Sequence, residues 1–446
     1  MSIATATATA PVIARAAGVN PFDYLRERGY VQNVSDADGL RAAFAEGPVT
    51  AYIGFDPSAP SLHVGNLLGV MVLATLQRFG HRPIALGGGG TALVGDPTGR
   101  TSARDLITPE AIARNLAGVL PQFGRYLDFA GGRFGDNPAA LLLNNADWLM
   151  DLRYIPFLRD IGRHFSVNEM LAAETYKTRL ESTGLNFVEF NYRLVQAYDF
   201  LHLFRERGCR LQMGGSDQWG NIVAGVDLIR RAEAAKTFAL VTPLITTSGG
   251  EKMGKTGSGE RIWLDPDQTS PFNYYQYWVN TDDSQVGNFL RFYTFLPEDR
   301  IVDLTAVSGA ALREAKRVLA WEATALTHGP EAAENAQRAS EALFSHDRAK
   351  EIAMNRSATA TMTAELDVIH PVRVSAAEVS SGITLADVFV RSELCKSRGD
   401  ARRLAAQGGL SVDDRRISDV DAPFLPTEGP TLLRAGKKRF KTVVIG

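Results

Sequence analysis

The chain has 446 residues, 45% hydrophobic and 22% charged, with a formal net charge of −2. That is ordinary for a globular protein of two to four domains with a large core. Only two cysteines occur, Cys209 and Cys395, far apart and without a nearby Cys or His partner, which excludes a disulfide scaffold and a structural zinc site and fits a reducing compartment.

The opening residues MSIATATATA lack the basic segment and longer apolar stretch of a signal peptide, so residues 1–20 read as a disordered leader. Asn20 to Tyr30 predicts a short amphipathic helix closing near Gly29. Val49 to Phe55 is a compact apolar run, expected as a buried parallel strand that breaks at Asp56-Pro57. From about His63 to Phe79, Leu67, Leu68, Met71, Leu73 and Leu76 recur at helical spacing, and Gly80 ends the helix. Pro83 to Leu86 is a further short strand that runs into four glycines, Gly87 to Gly90. This unit has the size of one βαβ crossover and predicts an α/β fold with a doubly wound parallel sheet.

Thr108 to Arg207 reads as a mostly helical insertion with a strand-like stretch at Leu141 to Leu143. Cys209 to Met213 is a second strand signal; it meets Gly214-Gly215, and a helix begins around Gln218. A nucleotide site between two half-sheets would use both strand-to-helix junctions. After Pro243 a Gly/Lys-rich loop, Ser248 to Gly259, leads into aromatic-rich and then Ala-rich helices up to about Ala353. Ser357 to Thr363 is small and polar, the best linker candidate. From about Ile383 a compact unit follows: two short helices, a strand at Leu410 to Val412, a turn at Asp413-Asp414 and a last strand from Phe440 to Ile445. Residues 391–446 carry 12 Lys+Arg against 7 Asp+Glu, a local +5 on an otherwise acidic chain, which suggests an appended unit with a polyanionic partner. No apolar run reaches the roughly 18 residues that a membrane helix needs.

The chemistry concentrates at two places. Asp56 to Asn66 carries a strand end to a helix N-terminus, where free N–H groups and the helix dipole attract anions. His63 and Asn66 are three apart on the first turn and share a face, and Gly65 leaves room for a flat ring or a phosphate. A lone His at a helix start is more often a cap, but this spacing behind a strand and a Pro-bearing loop is far more specific. Lys252-Met253-Gly254-Lys255-Thr256 sets two lysines on a Gly-flanked loop. Alone such lysines are solvated charge; paired with the first motif they read as a mobile clamp for a triphosphate.

His63-Val64-Gly65-Asn66 and Lys252-Met253-Gly254-Lys255-Thr256 resemble the HIGH and KMSKS signatures of class I aminoacyl-tRNA synthetases, with Asn66, Gly254 and Thr256 as departures. Four further stretches, Tyr52 to Pro57, Gly95 to Gly99, Tyr192 to Phe200 and Gly214 to Asn221, resemble those of bacterial tyrosyl-tRNA synthetases, nearly end to end from about Asn20. The resemblance implies a Rossmann-type sheet, an α-helical domain and a C-terminal unit like the S4 RNA-binding domain. Expected boundaries are 21–245 for the catalytic domain with its insertion (about 108–207), 246–355 for the loop and helical domain, 356–380 for a linker and 381–446 for the S4-like unit.

The same resemblance assigns roles. Tyr52 and Asp199 would bind the phenol hydroxyl of L-tyrosine; Asp96, Tyr192 and Gln196 its α-ammonium; Gln218 would lie beside the substrate. Gly54, Asp56, Ser58, His63, Gly65, Asn66, Gly215, Asp217 and Lys255 would hold ATP, with His63, Asn66, Lys252, Lys255 and Thr256 serving the transition state. Mg²⁺ would arrive with ATP, without a tightly bound metal site in the protein. Arg398, Arg402, Arg403, Lys437 and Lys438 would face tRNA(Tyr). A cytoplasmic homodimer, with its contact in the helical insertion, is also implied.

The residues agree with these roles. A buried Tyr–Asp pair lacks a partner until a hydroxyl-bearing ring enters. Asp199 stands in an apolar stretch, where a carboxylate wants a purpose. Tyr198 reads better as core packing, and Cys395 as a small buried residue. A tryptophanyl-tRNA synthetase, an RNA-binding protein built on an inactive synthetase body and a small-molecule nucleotidyltransferase are the rival readings.

Overall fold

The computed structural model describes residues 18–98, 107–172, 176–177, 180–181, 184–245, 261–344, 372–413, 415–426, 431–436 and 439–445. Most of the expected leader, the Lys252 to Thr256 stretch, Ser357 to Thr363 and Lys437-Lys438 lie outside the described residues. The chain divides into two compact units: Met1–Gln268 with Tyr277–Thr327, and Thr269–Gln276 with His328–Gly446.

The first unit is built on a six-stranded sheet. Its strands are β1 (Asn33–Val34), β2 (Thr50–Phe55), β3 (Arg82–Gly87), β4 (Leu141–Asn144), β5 (Cys209–Gly215) and β6 (Phe238–Thr242), in the order β1-β6-β5-β2-β3-β4. All neighbours are parallel except β1, which runs antiparallel to β6. The expected doubly wound sheet is present. β2 (TAYIGF) is paired on both sides and buried at Ala51, Tyr52 and Ile53, so its near-continuous apolar run is what a central parallel strand requires. The sheet grows from β2 through β3 to β4 and from β5 through β6. The order therefore reverses between β2 and β5, the place where a crevice opens beyond the strand ends.

Two helices fix the crevice walls. Val64–Arg78 follows β2, with His63 as its N-cap, and the chain turns out of it at Gly80 (φ +86°). Phe187–Arg207 starts at a capping box made by Asn186 and Glu189 and ends at Gly208 in the left-handed region. Both begin with polar residues that satisfy their own first N–H groups, so the sequence marks their starts locally.

The helices expected as a separate domain over 246–355 instead divide between the two units. Val286–Tyr293 and Glu298–Thr305 belong with the sheet. The reason is packing: the Phe292 ring lies 5.6 Å from Tyr30, Arg28 donates to the Leu296 carbonyl at 2.6 Å, and the Arg78 guanidinium lies between the Phe134 and Phe295 rings at 3.9 and 3.7 Å.

The second unit holds a mixed sheet of β7 (Val372–Val374), β8 (Leu410–Val412), β9 (Arg415–Arg416), β10 (Thr431–Ala435) and β11 (Arg439–Ile445), ordered β7-β11-β10-β8-β9. Leu385–Arg391 and Arg398–Ala406 pack Phe389, Ala401 and Ala405 into its core with Leu433 and Val443. Of the span 356–380 expected as a linker, residues 372–380 are described and carry structure of their own. Val372–Val374 pairs with β11, and Ser375 with Glu378 forms a capping box that starts the helix Ala376–Ser380. A three-residue strand whose partner lies at the far end of the chain leaves no periodic signal of its own.

Candidate active site

A cavity of about 810 Å³ opens at the carboxyl ends of β2 and β5, in the crevice set by the strand reversal. Tyr52, Gly54 and Asp56 reach it from β2 and the turn after it, and Gln212 and Gly215 from β5. His63, Gly65 and Asn66 come from the start of Val64–Arg78; Tyr192, Gln196 and Asp199 come from Phe187–Arg207. Asp96, Asp217 and Gln218 complete the sequence-expected residues that line it. Ser58 is exposed and does not line the cavity.

At the inner end Tyr52 is buried, and among the described residues its hydroxyl has no hydrogen-bond partner. Its ring is fixed against Phe200 at 5.5 Å. Burial, then the nearby charge of Asp199, pushes its phenol well above the usual value. Asp199 is also buried, and its carboxylate accepts from Asn145 Nδ2 and from Trp148 Nε1, both at 2.8 Å. Burial dominates its titration and raises it from 3.8 to about 7, against those two hydrogen bonds. A buried hydroxyl without a partner costs about 1–3 kcal/mol. A ligand hydroxyl in this position would remove that cost.

A step outward, Gln196 presents a buried Oε1 with no partner among the described residues. Asp96 accepts from Gln218 Nε2 at 2.6 Å and from the Thr98 N–H at 2.9 Å. The Tyr192 hydroxyl donates to Asp56 at 3.2 Å, and Thr91 donates to the other Asp56 oxygen at 2.7 Å. Oxygen atoms without hydrogens thus converge from three elements, a set suited to an ammonium group. Gly88 makes this possible, because a Cβ there would lie 2.0 Å from Asp56 Oδ1.

The other end is formed by a helix start. The His63 Nδ1 accepts the Gly65 N–H at 3.0 Å, and Asn66 Oδ1 accepts the His63 N–H at 3.1 Å. Burial, then the Arg261 charge, holds the imidazole down to about 4. His63 is therefore neutral near pH 7, and with Nδ1 accepting, the proton sits on Nε2. The Asn66 oxygen is likewise engaged, which leaves its amide N–H groups as donors. Both residues become hydrogen-bond donors at a helix N-terminus, a setting for anionic oxygens.

Sequence reasoning missed several lining residues. Asn145 bonds Asp199, Thr91 and the Gly90 N–H, and so ties the inner end to the glycine turn after β3. Gln212 lies inside β5 with a buried Oε1 that has no partner among the described residues. A glutamine between Leu211 and Met213 in an apolar strand was the available signal. Arg261 also lines the cavity. In the second unit, Arg398, Arg402 and Arg403 are exposed on one short helix, and each is paired to a carboxylate: Asp387, Asp421 and Asp400. Tyr198 packs edge-on against Phe157 at 5.6 Å, and Cys395 is buried in the core of the second unit.

Comparison with known proteins agrees with this geometry. Residues 45–345 match the family model described as class I tRNA synthetases (W and Y). The chain is 52% identical over 433 residues to a tyrosine–tRNA ligase of Desulfosudis oleivorans, covering 95% of this chain and 98% of that protein. It is 44% identical to a tyrosine–tRNA ligase of Clostridium tetani, covering 96% of this chain and all of that one. The crystal structure of a C-terminally truncated mitochondrial tyrosyl-tRNA synthetase from Aspergillus nidulans superposes with a TM-score of 0.66 at 34% identity, over 73% of this chain and 94% of that one. Among the described residues no helix is long and apolar enough to cross a membrane.

Proposed function

The chain belongs to the class I tyrosyl-tRNA synthetases, ATP-dependent tyrosine–tRNA ligases, and from that premise we propose how its own residues divide the reaction. Tyr52 and Asp199 hold the phenol hydroxyl of L-tyrosine. Gln196, Asp96 and Tyr192 hold its ammonium group, and Gln218 fixes Asp96. The tyrosine carboxylate then points toward the helix start at His63, where ATP lies. It attacks the α-phosphorus and pyrophosphate leaves, so no general base is needed. The rate comes from positioning and from donors aimed at the growing phosphoryl charge. The His63 Nε2–H and the Asn66 amide supply two of these donors. Gly54, Gly65, Gly215 and Asp217 accommodate the nucleotide, and Asp56 braces Tyr192.

Lys252, Lys255 and Thr256 act on the β- and γ-phosphates. Support for this comes from the chain on either side, since Ile245 and Arg261 both line the cavity. Mg²⁺ enters as part of the nucleotide substrate, bound by phosphates and water. The 3′-terminal ribose hydroxyl of tRNA(Tyr) then attacks the adenylate carbonyl. The exposed arginines of Arg398–Ala406 belong to an S4-like tRNA contact. The enzyme works in the cytoplasm, where its substrates are.

It does so as a homodimer through the insertion. Among the described residues, eight of fifteen exposed large apolar side chains fall between Met150 and Val188, led by Ile155 at 70% and Phe187 at 66% exposure. The single observation that carries the specificity is the buried Tyr52 hydroxyl, without a partner among the described residues and within the field of Asp199. The test is pyrophosphate exchange into ATP. Exchange should depend on tyrosine, with neither phenylalanine nor tryptophan replacing it; exchange driven equally by tryptophan would refute the reading.

A further inference from the structure

The cavity has an uneven charge. Asp56, Asp96, Asp199 and Asp217 line it, and among the described lining residues the sole cation is Arg261. A triphosphate carries several negative charges, and a carboxylate-lined cleft repels it except near a counter-charge. The position of that cation is fixed by the backbone. The Val64 N–H donates to the Ile262 carbonyl at 3.0 Å and the Leu264 N–H to the Leu62 carbonyl at 2.8 Å, with His63 bridged to Trp263 between them. This short pairing clips the segment after Arg261 onto the start of the Val64–Arg78 helix. The guanidinium carbon lies 5.5 Å over the Trp263 ring, whose centroid is 6.0 Å from that of His63. Its charge also acts on the His63 imidazole. Arg261, His63 and Asn66 therefore gather at the start of the Val64–Arg78 helix, on the wall of the cavity that this helix start forms.

We propose that Arg261 binds the β- and γ-phosphates of ATP, and the pyrophosphate that leaves, as a further substrate-contacting residue of the adenylation step. The proposal rests on the placing of the nucleotide at the His63 end. A guanidinium can engage two phosphate oxygens at once, and the Trp263 face holds it before the nucleotide arrives. It also orients the substrate: Arg261, the sole cation among the described lining residues, stands beside His63 and Trp263, while Asp199 stands beside Asn145 and Trp148, so ATP and tyrosine enter with their charged groups sorted.

The test uses the full chain with R261A, R261K and R261Q in pyrophosphate exchange, together with tyrosine binding by equilibrium dialysis. A lost charge-assisted phosphate contact predicts KM for ATP and the inhibition constant for inorganic pyrophosphate raised about ten-fold or more in R261A. Tyrosine affinity should stay at the wild-type value, and R261K should recover part of the loss. A structural role would instead disturb both substrates alike. R261Q keeps most of the stem over Trp263 without the charge and decides on the same criterion if R261A unfolds. Wild-type KM for ATP in R261A or R261Q, or equal losses for ATP and tyrosine, would overturn the proposal. If the wild-type chain itself gives no tyrosine-dependent exchange, the reading of the site fails, not this inference alone.

Discussion

Replacing Tyr52 with phenylalanine should move stability and specificity in opposite directions. The free protein buries the Tyr52 hydroxyl with no partner among the described residues, while the ring packs against Phe200 at 5.5 Å. Phenylalanine keeps that packing and removes a polar atom whose burial costs about 1–3 kcal/mol. Even 1 kcal/mol of relief raises Tm by roughly 1–2 °C in a unit of this size. With tyrosine bound, the variant lacks one neutral hydrogen bond, about 0.5–1.5 kcal/mol, so kcat/KM for tyrosine should fall roughly 2- to 12-fold. Phenylalanine makes no such bond, so its kcat/KM should hold or rise, and the preference for tyrosine shrinks by at least the same factor. Scanning calorimetry of the free protein and exchange kinetics with both amino acids measure the two halves. A Y52F protein that is less stable than wild type, with its preference for tyrosine unchanged, would show that the hydroxyl serves the fold and not the substrate.

Other outcomes follow from the same geometry. Asp199 is raised by burial from 3.8 to about 7, so the folded state holds its proton more tightly than the unfolded chain. Its contribution to stability is full below about 3.8 and is lost as pH rises through about 7. The kcat/KM for tyrosine should rise with pH through the same region, as the carboxylate that accepts the hydrogen bond of the phenol O–H forms. In D199N, urea titrations should lose that pH slope, and kcat/KM should lose its limb together with roughly ten-fold or more of its plateau value. Because Ile155 and Phe187 are so exposed, I155D with F187D should give a monomer by analytical ultracentrifugation; an unchanged dimer would place the contact elsewhere. R402E with R403E breaks two exposed ion pairs, a small cost to the fold. It should leave tyrosyl-adenylate formation unchanged, raise KM for tRNA and flatten its salt dependence. Unchanged charging would remove this helix from the tRNA contact.

Much of the catalytic unit was legible in the sequence because its signals are local. β2 is one unbroken apolar run, and the Val64–Arg78 helix carries its cap at His63 and its stop at Gly80. β1 and β7 are two and three residues long and exist only through partners far along the chain. No period can be read over so few residues. The divided helical region was hidden for a related reason, since Phe292 and Phe295 bury against Tyr30 and Arg78 from distant segments.

Within the site, the resemblance named residues that line the cavity but not those that hold them in place. Asn145 has no motif around it, and its importance appears only when Asp199, Thr91 and Gly90 are brought to it by the fold. Gln212 could have been flagged by the reasoning that flagged Asp199, a polar side chain inside an apolar element. Arg261 follows a glycine-rich stretch in which one more charge carries no information, and only the pairing of residues 62–64 with 262–264 places it in the cavity.

A crystal structure of this chain with L-tyrosine and a non-hydrolysable ATP analogue tests the whole assignment most directly. The account predicts the phenol oxygen within hydrogen-bond reach of both the Tyr52 hydroxyl and the Asp199 carboxylate, the ammonium beside Gln196 and Asp96, and the polyphosphate against His63 and Arg261. A tyrosine ring bound with its hydroxyl away from Tyr52 and Asp199, or phosphates seated at the opposite end, would contradict it.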